Sequence, residues 1–168
     1  MNEAPLHVAV SGWLLGPPSG ANRRLLALLQ QLGERLGAHE RVTVLHATSF
    51  APPLLPRIEW RAVAIPPQPT LRRVLGERRL LPGVLRELGA TLLDHGFLPL
   101  PSVPVPTVLL VHDVRAVDGL TRWPRAVARA LLRRSCARAA RVVVPSEWTK
   151  ARLLALAPRL HGRVHVVP

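Results

Sequence analysis

Residues 6–47 read LHVAVSGWLLGPPSGANRRLLALLQQLGERLGAHERVTVLHA. Leu6 to Ser11 is an apolar run of strand length. Gly12 to Gly20 follows as a loop carrying three glycines and two prolines. Between Ala21 and Ala38, Leu25, Leu28, Leu29, Leu32 and Leu36 recur at helical spacing, with Arg24, Gln31 and Glu34 elsewhere on the wheel. Gly37 supplies a stop signal. Arg41 to Ala47 is strand-like again. A parallel neighbour can be reached only by a crossover, so strand, loop, helix and strand in this order is the unit that builds parallel sheets.

The alternation continues outward from this unit. Ile58–Ile65 reads as a third strand bounded by prolines. Leu71–Leu88 reads as helix, with Pro82-Gly83 expected to split it or start a second turn. Ala90–Asp94 and Thr107–Val111 have the composition of buried strands. Trp123–Ala140 is a long helix, Arg141–Val144 a short strand, Ser146–Ala157 a helix, and Arg163–Val167 a last strand. The expectation is a Rossmann-like α/β domain, doubly wound around a mostly parallel sheet of about seven strands. The chain of 168 residues, 48% of them hydrophobic, suits one such domain with its own core. Its 18 prolines gather at loop boundaries: Pro17-Pro18, Pro52-Pro53, Pro66 to Pro69 and Pro99 to Pro106.

The formal net charge is +13, and Lys150 is the only lysine among 23 basic residues. A GC-rich coding sequence accounts for such arginine use as readily as an anionic partner does. Placement is more informative than number. From Arg115 to Arg163, twelve basic residues stand against only Asp118 and Glu147. Arg122, Arg125, Arg129 and Arg133 fall at helical spacing on one face, with Val127, Ala130 and Leu131 expected to turn to the core. That face reads either as a plain solvated surface or as a contact for anionic lipid headgroups. Nucleic acid is disfavoured because only Trp123 and Trp148 interleave with these arginines. The lone Cys136 excludes an internal disulfide, fits a reducing cytosol and reads as inert packing. No apolar run reaches the ~18–20 residues of a membrane helix. Glu3, near the start, argues against a signal peptide. The seven histidines show no metal-site spacing, so no metal is expected.

Ligands of open α/β sheets bind at the carboxyl ends of strands, which selects the candidate residues. In the Gly12–Gly20 loop, Ser19 and Gly20 open a helix whose N-terminus suits a phosphate; a plain surface turn is the rival reading. The spacing is neither a dinucleotide fingerprint nor a Walker loop. Val111-His112-Asp113-Val114-Arg115 places an imidazole, a carboxylate and a guanidinium directly after the Thr107–Val111 strand. His112 can act as base or hydrogen-bond donor, and Arg115 can grip a phosphate or carboxylate. A loop cap from His112 and a pairing of Arg115 with Asp113 or Asp118 would explain the same residues. His95 occupies the matching place after Ala90–Asp94. Ser146 before Glu147 reads as a helix N-cap.

Taken as a set, the Ser19-Gly20 loop, VLLVHDVRAVDG (108–119), the Arg-rich helix, ARVVVPSEWTKARLL (140–154) and RVHVVP (163–168) resemble the N-terminal domain of family-4-type, retaining GT-B glycosyltransferases. The resemblance covers nearly the whole chain and is weakest at residues 49–70. It implies the N-terminal half of a GT-B fold, and transfer of a sugar from a nucleotide-sugar to a glycan or lipid-linked acceptor without metal or other cofactor. It implies Ser19 and Gly20 near the donor phosphates, His112 in the catalytic cleft, and His95, Asp113 and Arg115 as acceptor or cleft contacts. It further implies a cytoplasmic chain, peripheral on the inner membrane face through Arg122, Arg125, Arg129 and Arg133. Residues 1–168 hold no counterpart of the family's C-terminal, donor-binding domain, so the chain by itself is expected to be inactive, needing that domain as a partner. A non-catalytic α/β binding module is the alternative.

Overall fold

The computed structural model describes residues 5–13, 15–16, 20–114 and 122–167, without the side chains of 21 and 122–124. Along them run β1 (Leu6–Ser11), α1 (Gly20–Arg35), β2 (Glu40–Ala47), β3 (Ile58–Val63), α2 (Thr70–Leu88), β4 (Leu92–His95), β5 (Thr107–Leu110), α3 (Arg122–Arg138), β6 (Arg141–Val144), α4 (Glu147–Leu156), a single 3₁₀ turn (Pro158–Leu160) and β7 (Val164–Val166). The strands form a seven-stranded sheet in the order β3-β2-β1-β4-β5-β6-β7. β1 pairs in parallel with β2, β2 with β3, β5 with β6, and β6 with β7. This is the doubly wound arrangement that the alternating pattern predicts.

The chain divides into two compact units, residues 1–93 with 102–105, and residues 94–101 with 106–168. In the first, Val10, Leu29, Val42, Val44 and Ile58 bury against one another beneath α1. Leu29 is 1% exposed, and burial of a leucine on this scale is worth about 1.5–3 kcal/mol. His7 on β1 is buried yet satisfied: Nδ1 lies 3.0 Å from the Leu88 carbonyl and Nε2 2.8 Å from Thr43 Oγ1. In the second unit, Leu109, Val111, Leu132, Cys136, Val142, Val144 and Leu153 make the core. Burial pushes the Cys136 thiol up to about 11, more than Arg163 pulls it down, so it is a protonated packing group at neutral pH.

Several elements differ from the sequence expectation. α2 runs unbroken through Pro82, because the buried stripe Arg73, Glu77, Leu81 and Leu85 holds the helix on both sides of the missing N–H. β4 extends to His95, which is therefore a strand residue and not a loop histidine. On α3 the buried face is Leu132, Ser135, Cys136 and Ala139, while Val127 and Leu131 are exposed. Val127 and Leu131 suggest one phase of this helix. Leu132 and the small residues Ser135, Cys136 and Ala139, which allow close packing, set another. Ala130 is exposed with Val127 and Leu131.

Ser146 caps α4 as expected, its Oγ accepting from the Thr149 N–H at 3.2 Å. Ser146→Ala should therefore cost about 1 kcal/mol. Urea unfolding checks this value, and an unchanged midpoint would show that the cap contributes nothing.

Candidate functional site

The second unit brings together the ends of β4 and β5. His95 closes β4 with no exposed surface, and its ring meets Phe97 edge-on at 5.6 Å between centroids. His112 follows β5 by two residues. Val111 and Val114, 2% and 0% exposed, pin the backbone on either side of His112-Asp113. The Val111 N–H is also tied to the Val143 carbonyl at 2.8 Å. The His112 side chain is left exposed, with Nε2 over Gly96, where a Cβ would come within 3.8 Å of it. A neutral imidazole held this way can donate from one nitrogen and accept at the other. Asp113 is half-buried.

Asp94, the residue before His95, keeps some exposure, yet burial pushes its carboxyl from 3.8 up to about 6. The folded state therefore holds a proton that the unfolded chain releases between these values. The resulting stabilisation is complete below pH 3.8 and is lost as pH rises through about 6. Asp94→Asn should flatten this part of the stability-against-pH curve, measured by urea unfolding at pH 4 to 7. An unaltered slope would remove Asp94 as its source.

The first unit holds the glycine loop. A Cβ on Gly12 would lie 2.8 Å from Leu15 Cδ1 and 3.1 Å from the Leu45 carbonyl, so a side chain there would have to displace Leu15 and press on the β2 backbone. Gly16 has φ +140°, a region closed to L side chains. Trp13 and Leu15 between them are buried, at 0% and 5% exposure. Gly20 opens α1, has nothing within 4 Å of its Cβ position, and is followed by no acidic residue in the first turn. The helix dipole there has no carboxylate of its own to neutralise it. Ser19 and Arg115 lie outside the described residues, as does the side chain of Arg122.

Of the basic stripe, Arg125 and Arg129 are half-buried and Arg133 is exposed. With Ala126 and Ala130 they line a shallow groove of about 420 Å³. Arg133 also donates from Nε to the Leu156 carbonyl at 2.6 Å. Among the described residues no group of three His, Cys, Asp or Glu could hold a metal ion. His95 and His112 thus share one unit, and Gly20 belongs to the other. Sequence reading missed Asp94, Gly96 and Phe97, although the run Asp94-His95-Gly96-Phe97 at a strand end carried the signal. It also missed Trp13.

The seven-stranded doubly wound sheet, with glycines where the chain leaves β1 and a histidine after β5, is that of a Rossmann-like α/β domain. The Glycosyltransferase Family 4 model matches residues 18–168, and the chain belongs to that family. One solved structure similar in fold is WaaG, a glycosyltransferase involved in lipopolysaccharide biosynthesis, with a TM-score of 0.65 and 18% identity. The match covers 96% of this chain and 44% of the WaaG chain, so this chain spans less than half of that protein's length. No curated protein matches it in sequence.

Proposed function

We propose that this domain forms the acceptor side of a site that moves a sugar from a nucleotide-sugar donor to a glycan or lipid-linked acceptor. The exposed imidazole of His112, pinned by Val111 and Val114 over Gly96, is the observation that carries this reading. His112 supplies a hydrogen bond to the transferring sugar. His95 supports the floor beneath it from the end of β4, and Asp113 and Arg115 contact the acceptor. Ser19 and Gly20 meet the donor phosphates at the start of α1, where free N–H groups and the helix dipole suit an anion. The reaction uses no metal, charge on the leaving diphosphate being met by backbone and basic side chains. The partner is a C-terminal GT-B domain, which holds the rest of the donor.

The same reading places the protein in the cytoplasm, peripheral on the anionic inner membrane face through Arg122, Arg125, Arg129 and Arg133. Exposed Val127 and Leu131 on the same helix favour shallow insertion. Among the described residues no helix is long and apolar enough to cross a membrane.

The test is an NMR titration of the chain with nucleoside diphosphates and with oligosaccharide and lipid-linked acceptors. The reading expects the His112 imidazole and Gly96 amide signals to move with an acceptor, and the Gly20 amide with a diphosphate. Signals that stay fixed across the whole panel would contradict it.

A further inference from the structure

In the second unit, the backbone at Leu100 is gripped from α3 on both sides. The Leu100 N–H donates to Ser135 Oγ at 3.0 Å, and its carbonyl accepts from Arg138 Nη1 at 3.4 Å. Ser135 is 2% exposed, and its own proton goes to the Leu131 carbonyl at 2.7 Å. A serine hydroxyl has one proton and two lone pairs, so giving the proton to the helix leaves a lone pair for Leu100. A mid-helix serine commonly bonds back to its own helix and nothing more. This one also takes in the N–H of a segment 35 residues away in the chain.

Leu100 is the far end of a short bridge. β4 ends at His95, and only Gly96 to Pro99 lie between that strand and Leu100. The Leu100 side chain is buried with Leu109, Leu132 and Cys136, and Leu98 packs against the same core. Gly96 therefore hangs between two anchors, one on the sheet and one on α3. His112 Nε2 lies over it, 3.8 Å from where a Cβ would stand. Val111 and Val114 hold the imidazole from its own side. The floor beneath the ring is held from the other side, by the grip on Leu100. Packing fixes the depth of Leu100, whereas the two hydrogen bonds fix the tilt of the peptides flanking it, and that tilt aims the bridge.

We propose that Ser135 and Arg138 are positioning residues, which set Gly96 beneath the His112 imidazole by clamping the peptides on either side of Leu100. The clamp fixes how closely the ring settles on the backbone, and so where its hydrogen-bonding nitrogens point. That the ring meets a transferring sugar rests on the function proposed above; the clamp rests on this geometry.

Two variants test it. Ser135→Ala removes the hydroxyl and leaves the helix, alanine being the better helix former. Arg138→Met, on the exposed side of α3, removes the longer bond and keeps the fold should the first variant not hold it. In the isotope-labelled chain, NMR follows amide exchange at Leu100, with Val111 and Val142 as reference, and the nuclear Overhauser contact between the His112 ring and the Gly96 α-protons. The expected result for Ser135→Ala is about tenfold faster exchange at Leu100, unchanged exchange at the references, and loss of the Gly96–His112 contact. Arg138→Met should weaken that contact by less. A full-strength contact in both variants would overturn the positioning role, as would acceleration spread equally over Val111 and Val142. Transfer separates positioning from packing. With the chain joined to a GT-B C-terminal domain, Ser135→Ala should cost about tenfold in kcat, and nothing further where His112 is already alanine. Equal losses in both backgrounds would show that Ser135 does not act through His112. If the unaltered joined protein transfers no sugar, the function proposed above fails, and the Gly96–His112 contact still decides the clamp.

Discussion

Arg73→Met alone is expected to destabilise the domain by about 3–5 kcal/mol, the largest stability loss anticipated for a single substitution here. The reason lies in what is left behind. Glu77 has no exposed surface, and the guanidinium 2.7 Å away is the main influence opposing its desolvation. Methionine matches the aliphatic length of arginine, so packing is little changed and the loss is electrostatic. Because the Glu77 carboxyl is already raised in the folded state, it should hold its proton to still higher pH in the variant. The loss should then be smallest in acid and grow as pH rises through the shifted value. Urea unfolding at several pH values measures both effects. A loss under about 0.5 kcal/mol, the range of ordinary surface substitutions, would show that Glu77 is not the buried charge described here.

His112→Ala should have the opposite profile. The side chain is exposed, and Val111 and Val114 hold the backbone without it, so stability should stay within about 0.5 kcal/mol of the starting protein. Transfer, measured with the chain joined to a GT-B C-terminal domain, should fall about a hundredfold, the scale of losing one hydrogen bond formed at the reacting centre. The loss should appear in kcat, because a donor aimed at developing charge acts on the transition state more than on bound substrate. Near-unchanged turnover would remove His112 from the mechanism.

Much of the fold was legible because its periods are clean. Leu25, Leu29, Leu32 and Leu36 mark α1, and the β-branched runs Arg41–Ala47 and Arg141–Val144 mark strands, each before any packing is known. The register of α3 was not legible. Alanine- and arginine-rich helices offer two apolar phases, Val127 with Ala130 and Leu131 against Leu132 with Ser135, Cys136 and Ala139, and only packing on the sheet turns the second inward. Pro82 pointed to a break that tertiary packing prevents. His112 could be singled out because the strand before it is so apolar, which fixes where the sheet ends. The Arg73–Glu77 pair was invisible for a different reason. Oppositely charged residues four apart on a helix read as a solvated salt bridge, and only the fold shows that both are buried.

The central claim is sugar transfer through a site to which this domain contributes. It is tested most directly by joining the chain to a GT-B C-terminal domain and following nucleoside diphosphate release from a panel of nucleotide-sugars, with acceptor present and a metal chelator added. The account predicts release that depends on acceptor, persists in the chelator and falls with His112→Ala. No release from any donor, or release that the chelator abolishes and added metal restores, would contradict it.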